Sequence, residues 1–425
     1  MKLAIAFTNF GPYHIARLRA LGRSLRQRDG RLIAHEIAGD EAKYPWRSEQ
    51  RSSEPFAWRT LFPERRLEDL TASECRSAMR QALNADDPDA VLIVGYTRPE
   101  CLEALDWARK RKRPAILLSE TQEIDHPRVW WKEWIKRLRV RRFDAAVAGG
   151  PRHRDYLVKL GMSADRIALG YDAVDNEAFA GWSAQARADD SPAGRSGIPE
   201  HPYFLTVARF APEKNLVRLI HAFARYRRQD PQGWDLVLCG GGPDADLIEN
   251  AIRETGLENA IHRPGFLQAR DVARYYAFAS AFVLPSVSEP WGLVLNEAAA
   301  CGLPLLASER VGAAPTLVIN DRTGRTFDPL DEIGMADSLG WIAGLDSGAR
   351  SAMGQAARDI VADWGPDRFA RASIEMAELA QRAIGGGQRS MVSGREDAQG
   401  EKSSRLGRSS EGASRTANLI LTTDN

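Results

Sequence analysis

The 425-residue sequence has few cysteines and lacks a long apolar run. Its four cysteines include no C-x-x-C pair and are too sparse for a disulfide framework: Cys75, Cys101, Cys239 and Cys301. We therefore expect buried packing residues and a reducing, cytoplasmic location. No run reaches the ~18 to 20 apolar residues of a transmembrane helix, and the apolar stretch in MKLAIAFTNF is too short for a signal peptide. The sequence thus predicts a protein that can touch a membrane but not span it.

An excess of charge of one sign is also absent, since the formal net charge is +1. This balance gives no reason to expect nucleic acid or another polyanion as a partner. With 44% hydrophobic and 27% charged residues, the composition is that of a globular protein. Because single cores stop growing near ~250 to 300 residues, a chain of this length predicts two domains.

Short apolar runs such as AVLIVG and PAILLS alternate with longer amphipathic stretches. This alternation is typical of strand-helix units in a parallel sheet and predicts the α/β class. The pattern stops in a segment rich in Gly, Ser, Asp and Pro, which predicts a linker over 176–202 between domains at 1–175 and 203–365. An amphipathic helix is expected over 366–384. The polar tail 385–425 has no aromatic residue and is expected to be disordered.

The stretch EPWGLVLNE contains two glutamates, Glu289 and Glu297, and follows the apolar run AFVLP. It therefore predicts a strand-to-helix loop at the carboxyl edge of a parallel sheet, where such sheets bind ligands. The start of a helix there offers free N–H groups to phosphates. Two carboxylates at different depths would suit a polyhydroxylated ligand. Equally, Glu289 could be an ordinary loop residue and Glu297 a solvated helix position.

Two other segments follow predicted strands. In RFAPEKN, Arg209 and Lys214 flank a turn and could neutralise a diphosphate, although surface cations of this kind are commonly solvated. In CGGGPD, at 239–244, the glycines permit close approach of a ligand or simply a tight turn. They do not form the full dinucleotide-binding fingerprint, which argues against an NAD enzyme.

The first strand is followed by TNFGPYHIARL, in which Gly11 precedes a helix that carries Tyr13 and His14 in its first turn. A histidine at a helix start can be structural. In a cleft facing a second domain, it could instead meet an acceptor hydroxyl.

In combination and order, these segments resemble the large group of retaining GT-B glycosyltransferases called family 4 or group 1. The family's E-x7-E motif matches Glu289 and Glu297, and its diphosphate-binding cations match Arg209 and Lys214. Further similarity lies in the interdomain segment and the glycine loops, at 170–179, 240–243 and 264–266. The resemblance covers residues 1–384. It implies two Rossmann-like domains that face each other across a cleft, with the acceptor bound by the first and the donor by the second.

The resemblance also implies roles around the donor sugar. Glu297 would hold the ribose hydroxyls. Glu289 would hold the sugar, together with the backbone of Trp291, Gly292 and Leu293. Trp291 stands where the family commonly has phenylalanine and could narrow the pocket.

The diphosphate would be bound by Arg209 and Lys214. The loop around Gly11 would lie beneath the donor, and the backbone around Phe266 and Leu267 would lie beside the base. Since two cations and helix N–H groups neutralise the phosphates, no metal and no cofactor is expected.

The acceptor side departs from the family pattern. Many relatives carry a histidine after a late strand of the first domain, where this chain has SETQEIDHP, with Glu120 near the expected place and His126 later. His14, Tyr13 and Glu120 are the acceptor candidates.

The implied activity is transfer of a hexosyl group from a nucleoside diphosphate sugar to a saccharide or lipid-linked acceptor, with retention, in polysaccharide or glycoconjugate assembly. The alternatives are a GT-B epimerase that acts on the sugar nucleotide and a non-catalytic protein that binds it.

A basic aromatic segment, RVWWKEWIKRLRVRR at 128–142, has seven cations and one glutamate. Trp130, Trp131, Trp134, Ile135 and Leu138 follow helical spacing, so a helix lying on the inner face of an anionic membrane is one interpretation. The other is a helix packed on the core with a solvated basic face. The sequence favours packing, because some of these tryptophans are expected to cover the sheet.

Overall fold

A computed structural model describes residues 1–41, 53–125, 128–189, 191 and 195–403, with side chains through residue 385. The α/β prediction is confirmed. The described strands form two separate sheets, and every pairing within them is parallel.

The first sheet has seven strands in the order β3-β2-β1-β4-β5-β6-β7. Its strands are β1 (Lys2–Phe7), β2 (Arg31–Asp40), β3 (Ala57–Arg66), β4 (Ala90–Val94), β5 (Ala115–Ser119), β6 (Ala145–Ala148) and β7 (Ile167–Leu169). The α-helices between them are α1 (Pro12–Arg26), α2 (Ala72–Asp86), α3 (Pro99–Arg111), α4 (Trp130–Val140) and α5 (Pro151–Lys159).

The second sheet has six strands in the order β10-β9-β8-β11-β12-β13. They are β8 (Tyr203–Val207), β9 (Asp235–Cys239), β10 (Ile261–Gly265), β11 (Ala281–Leu284), β12 (Leu305–Ser308) and β13 (Gly324–Phe327). The helices of this half are α6 (Asn176–Ala188), α7 (Leu216–Gln229), α8 (Ala245–Thr255), α9 (Ala269–Phe278), α10 (Leu293–Ala300), α11 (Ala314–Leu317), α12 (Glu332–Ala343) and α13 (Ser347–Ala362). The chain continues into α14 (Pro366–Ser403).

Each sheet reverses its strand order once, between β1 and β4 in the first and between β8 and β11 in the second. Such reversals open a crevice at the carboxyl ends of the strands, where doubly wound sheets bind ligands. Apolar side chains cover both faces of each sheet, because parallel strands are buried on both sides. The four cysteines are buried and unpaired, as predicted.

The predicted linker is wrong over its first half, which forms helix α6. The Asp175 carboxylate caps this helix by accepting a hydrogen bond from the Ala178 N–H at 3.0 Å. Phe179 is buried and packs edge-on against Tyr276 of α9, with ring centroids 6.2 Å apart. A helix cap and a short apolar stripe are therefore sufficient to form a helix in this segment, although its composition indicated a loop.

The predicted closing helix is present as α14, but it continues to Ser403 through part of the predicted tail. The extension contains no proline to stop it. The remaining tail, 404–425, lies outside the described residues. The compact unit with both sheets spans Met1–Gln381. Within that unit, Phe369 and Ile374 of α14 return to the core of the first sheet.

Helix α4 does not bury its tryptophans against the sheet, which is the packing that the sequence favoured. Trp130 and Trp134 are 82% and 59% exposed, and Val140 is the buried residue of the helix. The prediction that these tryptophans cover the sheet is therefore wrong. Among the described residues, no helix has both the length and the apolarity that crossing a membrane requires.

Candidate functional site

The candidate site lies at the reversal point of the second sheet. The segment with Arg209 and Lys214 follows β8, and the segment with Glu289 follows the neighbouring strand β11. The two loops are tied together, because the Val287 N–H donates to the Glu213 carbonyl at 2.9 Å. The topology thus brings both predicted motifs to one crevice.

The centre of the crevice holds an ion pair between Lys214 and Glu289. The same oxygen of Glu289 accepts a hydrogen bond from Ser286 Oγ at 3.1 Å. The side chains of Lys214 and Glu289 are 19% and 11% exposed, so neither is the solvated surface residue that the sequence left possible. A charge-assisted bond of this kind orients both groups in a partly dehydrated pocket.

Arg209 is placed differently. Its guanidinium pairs with Glu213 at 3.0 Å and remains more than a third exposed. Arg209 therefore lies on the same loop as Lys214 but is more exposed to solvent. Its partner is a neighbour in sequence rather than Glu289.

Glu297 lies in α10 and is buried, so the solvated alternative is wrong. One carboxylate oxygen accepts from the Tyr13 hydroxyl and the other from the Tyr276 hydroxyl, the latter at 2.8 Å. Burial raises the pKa of Glu297 to about 7, while the two phenol donors pull it down. Tyr13 belongs to the first domain, so this carboxylate is a contact between the domains.

The loop around Gly11 is closed by His14. The Gly11 N–H donates to His14 Nδ1 at 3.1 Å, and the imidazole packs on Phe7 with ring centroids 4.4 Å apart. Burial, and secondly the charge of Arg17, hold the pKa of His14 well below its usual value. His14 is thus a neutral ring that caps the helix, with only Nε2 available to a ligand.

The EPWG loop is fixed from the first domain as well as from the second. Trp291 is 1% exposed and packs on His153 and Trp364, with ring centroids 5.7 and 5.4 Å away. His153 accepts from the Gly150 N–H through Nδ1, so its Nε2 donates to the Pro290 carbonyl at 2.8 Å. The indole therefore lies between the domains rather than in an open pocket.

Gly292 and Leu293 begin helix α10. Gly292 has φ of 95°, a left-handed conformation that favours glycine, and its lack of a side chain leaves the helix start without a side-chain cap. No side chain therefore caps the first turn of α10, in which the Leu295 N–H donates to the Gly292 carbonyl at 2.8 Å.

Backbone hydrogen bonds complete the support of the loop. The Glu289 carbonyl accepts from Gln122 Nε2 at 2.9 Å and from the Gly312 N–H at 3.0 Å. A Cβ on Gly312 would lie 1.8 Å from the Pro290 carbonyl oxygen, so the two loops are in backbone contact.

Sequence reasoning missed several residues of this site: Gln122, His153, Ser286 and Tyr276. Two of these residues had a signal in the sequence. Gln122 lies in the SETQEIDHP segment, which follows a predicted strand, and Ser286 begins the loop that contains Glu289. His153 and Tyr276 carried no such signal, because buried ring residues on helices are ordinary core residues.

Glu120 follows β5 and is exposed, near the buried Asp172. The two carboxyl groups share a hydrogen bond, and burial together with the charge of Glu120 raises the pKa of Asp172 well above its usual value. The buried Arg17 is the neighbouring cation and donates to the Tyr171 carbonyl at 2.9 Å. The acceptor candidate Glu120 therefore lies at the exposed edge of a polar group whose other charged members, Asp172 and Arg17, are buried. His126 lies outside the described residues.

Beyond the glycine loop, Phe266 is 51% exposed and Leu267 packs against the core of the second domain. Gly240 and Gly242 approach backbone closely, since a Cβ would lie 1.9 Å from the Ala208 carbonyl oxygen and 2.4 Å from that of Phe210. Those two glycines therefore serve tight packing. Gly241, which lies between them, has open space where a Cβ would be.

The described residues contain no cluster of three or more His, Cys, Asp or Glu side chains that could hold a metal ion.

Residues 193–360 match the family described as glycosyl transferases group 1. The chain is 31% identical to a D-inositol 3-phosphate glycosyltransferase of Xylanimonas cellulosilytica over 56% of this chain and 58% of the relative. It is 30% identical to an alpha-maltose-1-phosphate synthase of Mycolicibacterium smegmatis over 45% and 50%. The chain thus spans about half the length of the curated relatives it matches.

Solved structures show the fold. Sucrose-phosphate synthase of Thermosynechococcus elongatus superposes with a TM-score of 0.68 at 21% identity, over 91% of this chain and 99% of that one. The Anabaena protein HepE, solved with UDP and glucose, gives a TM-score of 0.66 at 17% identity, over 89% and 99%. With its two parallel sheets this chain has the GT-B fold, and the match of residues 193–360 makes its second half similar to the glycosyl transferases group 1 family.

Proposed function

We propose that this protein transfers a hexosyl group from a nucleoside diphosphate sugar to a saccharide or lipid-linked acceptor, with retention of the anomeric configuration. The observation that carries the proposal is the pair of carboxylates at the start of α10. Glu289 is held by Lys214, and Glu297 is held by two phenols, at the reversal point of the sheet. The Anabaena protein HepE, which has this fold, was solved with UDP and glucose, and this supports a nucleotide sugar as donor.

In the proposed complex, the diphosphate lies between Lys214, Arg209 and the N–H groups of the first turn of α10. Lys214 already has a carboxylate partner, so its ammonium is pre-oriented in the crevice. Two cations and a helix start neutralise a leaving diphosphate without requiring a metal ion.

Glu297 holds the ribose hydroxyls, and Glu289 holds the sugar with the backbone of Trp291, Gly292 and Leu293. The many hydrogen bonds to this loop support that assignment, because they fix its backbone before any ligand arrives.

The base and the acceptor flank this core. We place the base beside the backbone of Phe266 and Leu267, with the loop around Gly11 beneath the donor. On the acceptor side we place Tyr13, His14 and Glu120, which lie in the first domain. Because the Tyr13 hydroxyl bonds Glu297 in the structure, Tyr13 must leave that carboxyl group when the ribose binds before it can meet an acceptor.

In the reaction, the bond from the anomeric carbon to the phosphate oxygen breaks as the acceptor oxygen attacks from the same face. The acceptor proton passes to the leaving phosphate oxygen, so the protein supplies no nucleophile. Lys214 and Arg209 stabilise the charge that develops on the phosphate.

We further propose that the protein works in the cytoplasm, in polysaccharide or glycoconjugate biosynthesis, and meets a lipid-linked acceptor at the inner face of the membrane. The four buried, unpaired cysteines are compatible with a reducing compartment.

The test begins with thermal-shift screening of the full chain against UDP, GDP and ADP sugars. The stabilising donor is then incubated with and without candidate acceptors, and free nucleoside diphosphate is measured. Transfer predicts release that depends on acceptor and is lost in Glu289→Gln. Sugar interconversion without acceptor would show an epimerase, and donor binding without any turnover would show a binding protein. Either outcome contradicts the proposal.

A further inference from the structure

Helix α4 has one face that anchors it to the first domain. On that face, Glu133 accepts hydrogen bonds from Lys136 at 2.9 Å and from the Tyr156 hydroxyl of α5 at 2.7 Å. Arg128 reaches the same glutamate at 3.3 Å, and Val140 is fully buried. The only acidic residue of the segment is therefore neutralised on the anchored side.

The opposite face is aromatic and exposed. Trp130, Trp131, Trp134 and Leu138 are 82%, 47%, 59% and 46% exposed. At about 100° of rotation per residue, they fall within one arc of about 100° on the helix. Exposed apolar side chains are normal when scattered, but three tryptophans and a leucine on one arc form a contiguous patch of the kind that marks an interaction surface.

Cations border this patch. Arg142 is engaged by Asp106, and Arg139 donates to the Tyr96 carbonyl at 3.3 Å. Within the part of the chain that the structure describes, Lys132, Arg137 and Arg141 are exposed and form no ion pair with a carboxylate. The rim of the patch is thus positively charged and carries no compensating anion of its own.

We propose that α4 is an interfacial helix that docks the first domain on an anionic lipid bilayer. The tryptophans and Leu138 enter the boundary between headgroups and acyl chains, where indole rings are favoured, and Lys132, Arg137 and Arg141 contact lipid phosphates. The positive charge of the rim complements the negative charge of lipid phosphates, and this favours an anionic bilayer as the partner. A second copy of the chain would bring one positive rim against another, which like-charge repulsion opposes.

The experiment measures co-sedimentation of the full chain with vesicles of phosphatidylcholine alone or mixed with phosphatidylglycerol, at low and high salt. Wild type is expected to bind the anionic vesicles at low salt, more weakly at high salt, and the neutral vesicles poorly. The variant Trp130→Ser/Trp131→Ser/Trp134→Ser is expected to lose at least about tenfold in binding. Its matched control, Leu247→Ser/Leu330→Ser/Ile333→Ser, removes apolar residues that are as exposed in the second domain and should bind like wild type.

A second pair of variants tests the charges. Lys132→Glu/Arg137→Glu should weaken anionic binding strongly, whereas Arg23→Glu/Lys110→Glu, with the same change in net charge at other exposed sites of the first domain, should not. Because all these side chains are exposed, melting temperatures should stay near that of wild type.

Three outcomes overturn the inference: wild type remains in the supernatant with anionic vesicles at low salt, the tryptophan variant binds as well as wild type, or both charge variants weaken binding equally. Gel filtration adds a fourth, a wild-type dimer that the tryptophan variant converts to monomer, which would assign the patch to self-association. Vesicle binding is measured without donor or acceptor, so its result is independent of whether the proposed transfer reaction occurs.

Discussion

Among single residues, Lys214 and Glu289 depend on each other most directly. Both are largely buried, so either charge without the other would be costly. The spacing of the motifs predicted which residues to consider. It did not predict the ion pair, because the two residues lie on different strand ends that only the sheet order makes neighbours.

Removal of the lysine should weaken donor binding. Lys214→Ala is expected to lose about 1.5 to 3 kcal/mol of affinity for the nucleoside diphosphate, the range for a charge-assisted hydrogen bond. Isothermal titration measures this, with Lys110→Ala as the exposed-lysine control. The double variant Lys214→Met/Glu289→Gln shows whether a loss comes from an unpaired buried glutamate, since it removes both charges together. Unchanged affinity in Lys214→Ala would contradict the assignment.

Glu297 should make stability depend on pH. Its pKa is raised to about 7, so the folded state holds a proton that the unfolded state, with a pKa near the ordinary value, releases. Stability from this group is therefore complete at low pH and falls as pH rises from about 4.5 through 7, by an amount on the order of 3 kcal/mol. The melting temperature of wild type should decline relative to Glu297→Gln over this range. Parallel curves for the two proteins would show that the carboxyl does not titrate there.

Among the elements, the EPWG loop has more support than a connecting loop usually has. It receives hydrogen bonds from α5, from the segment after β5 and from the loop after β12. The sequence predicted the position of this loop, since an apolar strand precedes it and a helix follows. The supports themselves could not be predicted, because they come from residues far away in the chain whose types are common in any core.

A methyl group at Gly312 should disturb this loop. The new Cβ would meet the Pro290 carbonyl oxygen at 1.8 Å, so backbone must move, at a cost of about 1 to 3 kcal/mol or more. Donor affinity should fall together with the melting temperature. Gly181→Ala is the matched control, because its Cβ meets open space within helix α6, and it should stabilise by about 0.5 to 1 kcal/mol. Equal melting temperatures for the two variants would refute the steric argument.

Two helices show why element predictions failed. Helix α6 is capped by Asp175 and buries Phe179, yet its glycine and alanine content hid the apolar stripe. Helix α4 has the strongest apolar stripe of the region, but the stripe faces solvent. Periodicity identifies an apolar face; it does not tell whether protein covers that face.

For the whole molecule, the alternation of strands and helices was sufficient to predict the class and the two sheets. The return of α14 to the first sheet was not predictable, because an amphipathic helix at the end of the chain can pack on either domain. Its apolar side chains join the core beside β1 and β5, so the chain crosses between the halves twice.

This second crossing should be important for stability. Phe369 is fully buried and packs near Tyr171, with ring centroids 6.2 Å apart. Phe369→Ala is expected to cost about 3 to 5 kcal/mol, which thermal unfolding measures. Leu247→Ala, at an exposed position, should change the melting temperature little. A loss no larger than that of the control would mean that α14 contributes little to the first domain.

The carboxylate of Glu297 joins the halves of the molecule in an asymmetric way. Tyr276 belongs to the same half as Glu297, whereas Tyr13 comes from the other half. If the halves hinge apart to admit a donor, Tyr13 leaves and Tyr276 stays. The Glu297 carboxyl group would then keep one hydrogen bond and expose one oxygen, which under the proposed function would accept a ribose hydroxyl. On the proposed assignment, the Tyr13 hydroxyl thus occupies the position of a ribose hydroxyl until a donor binds.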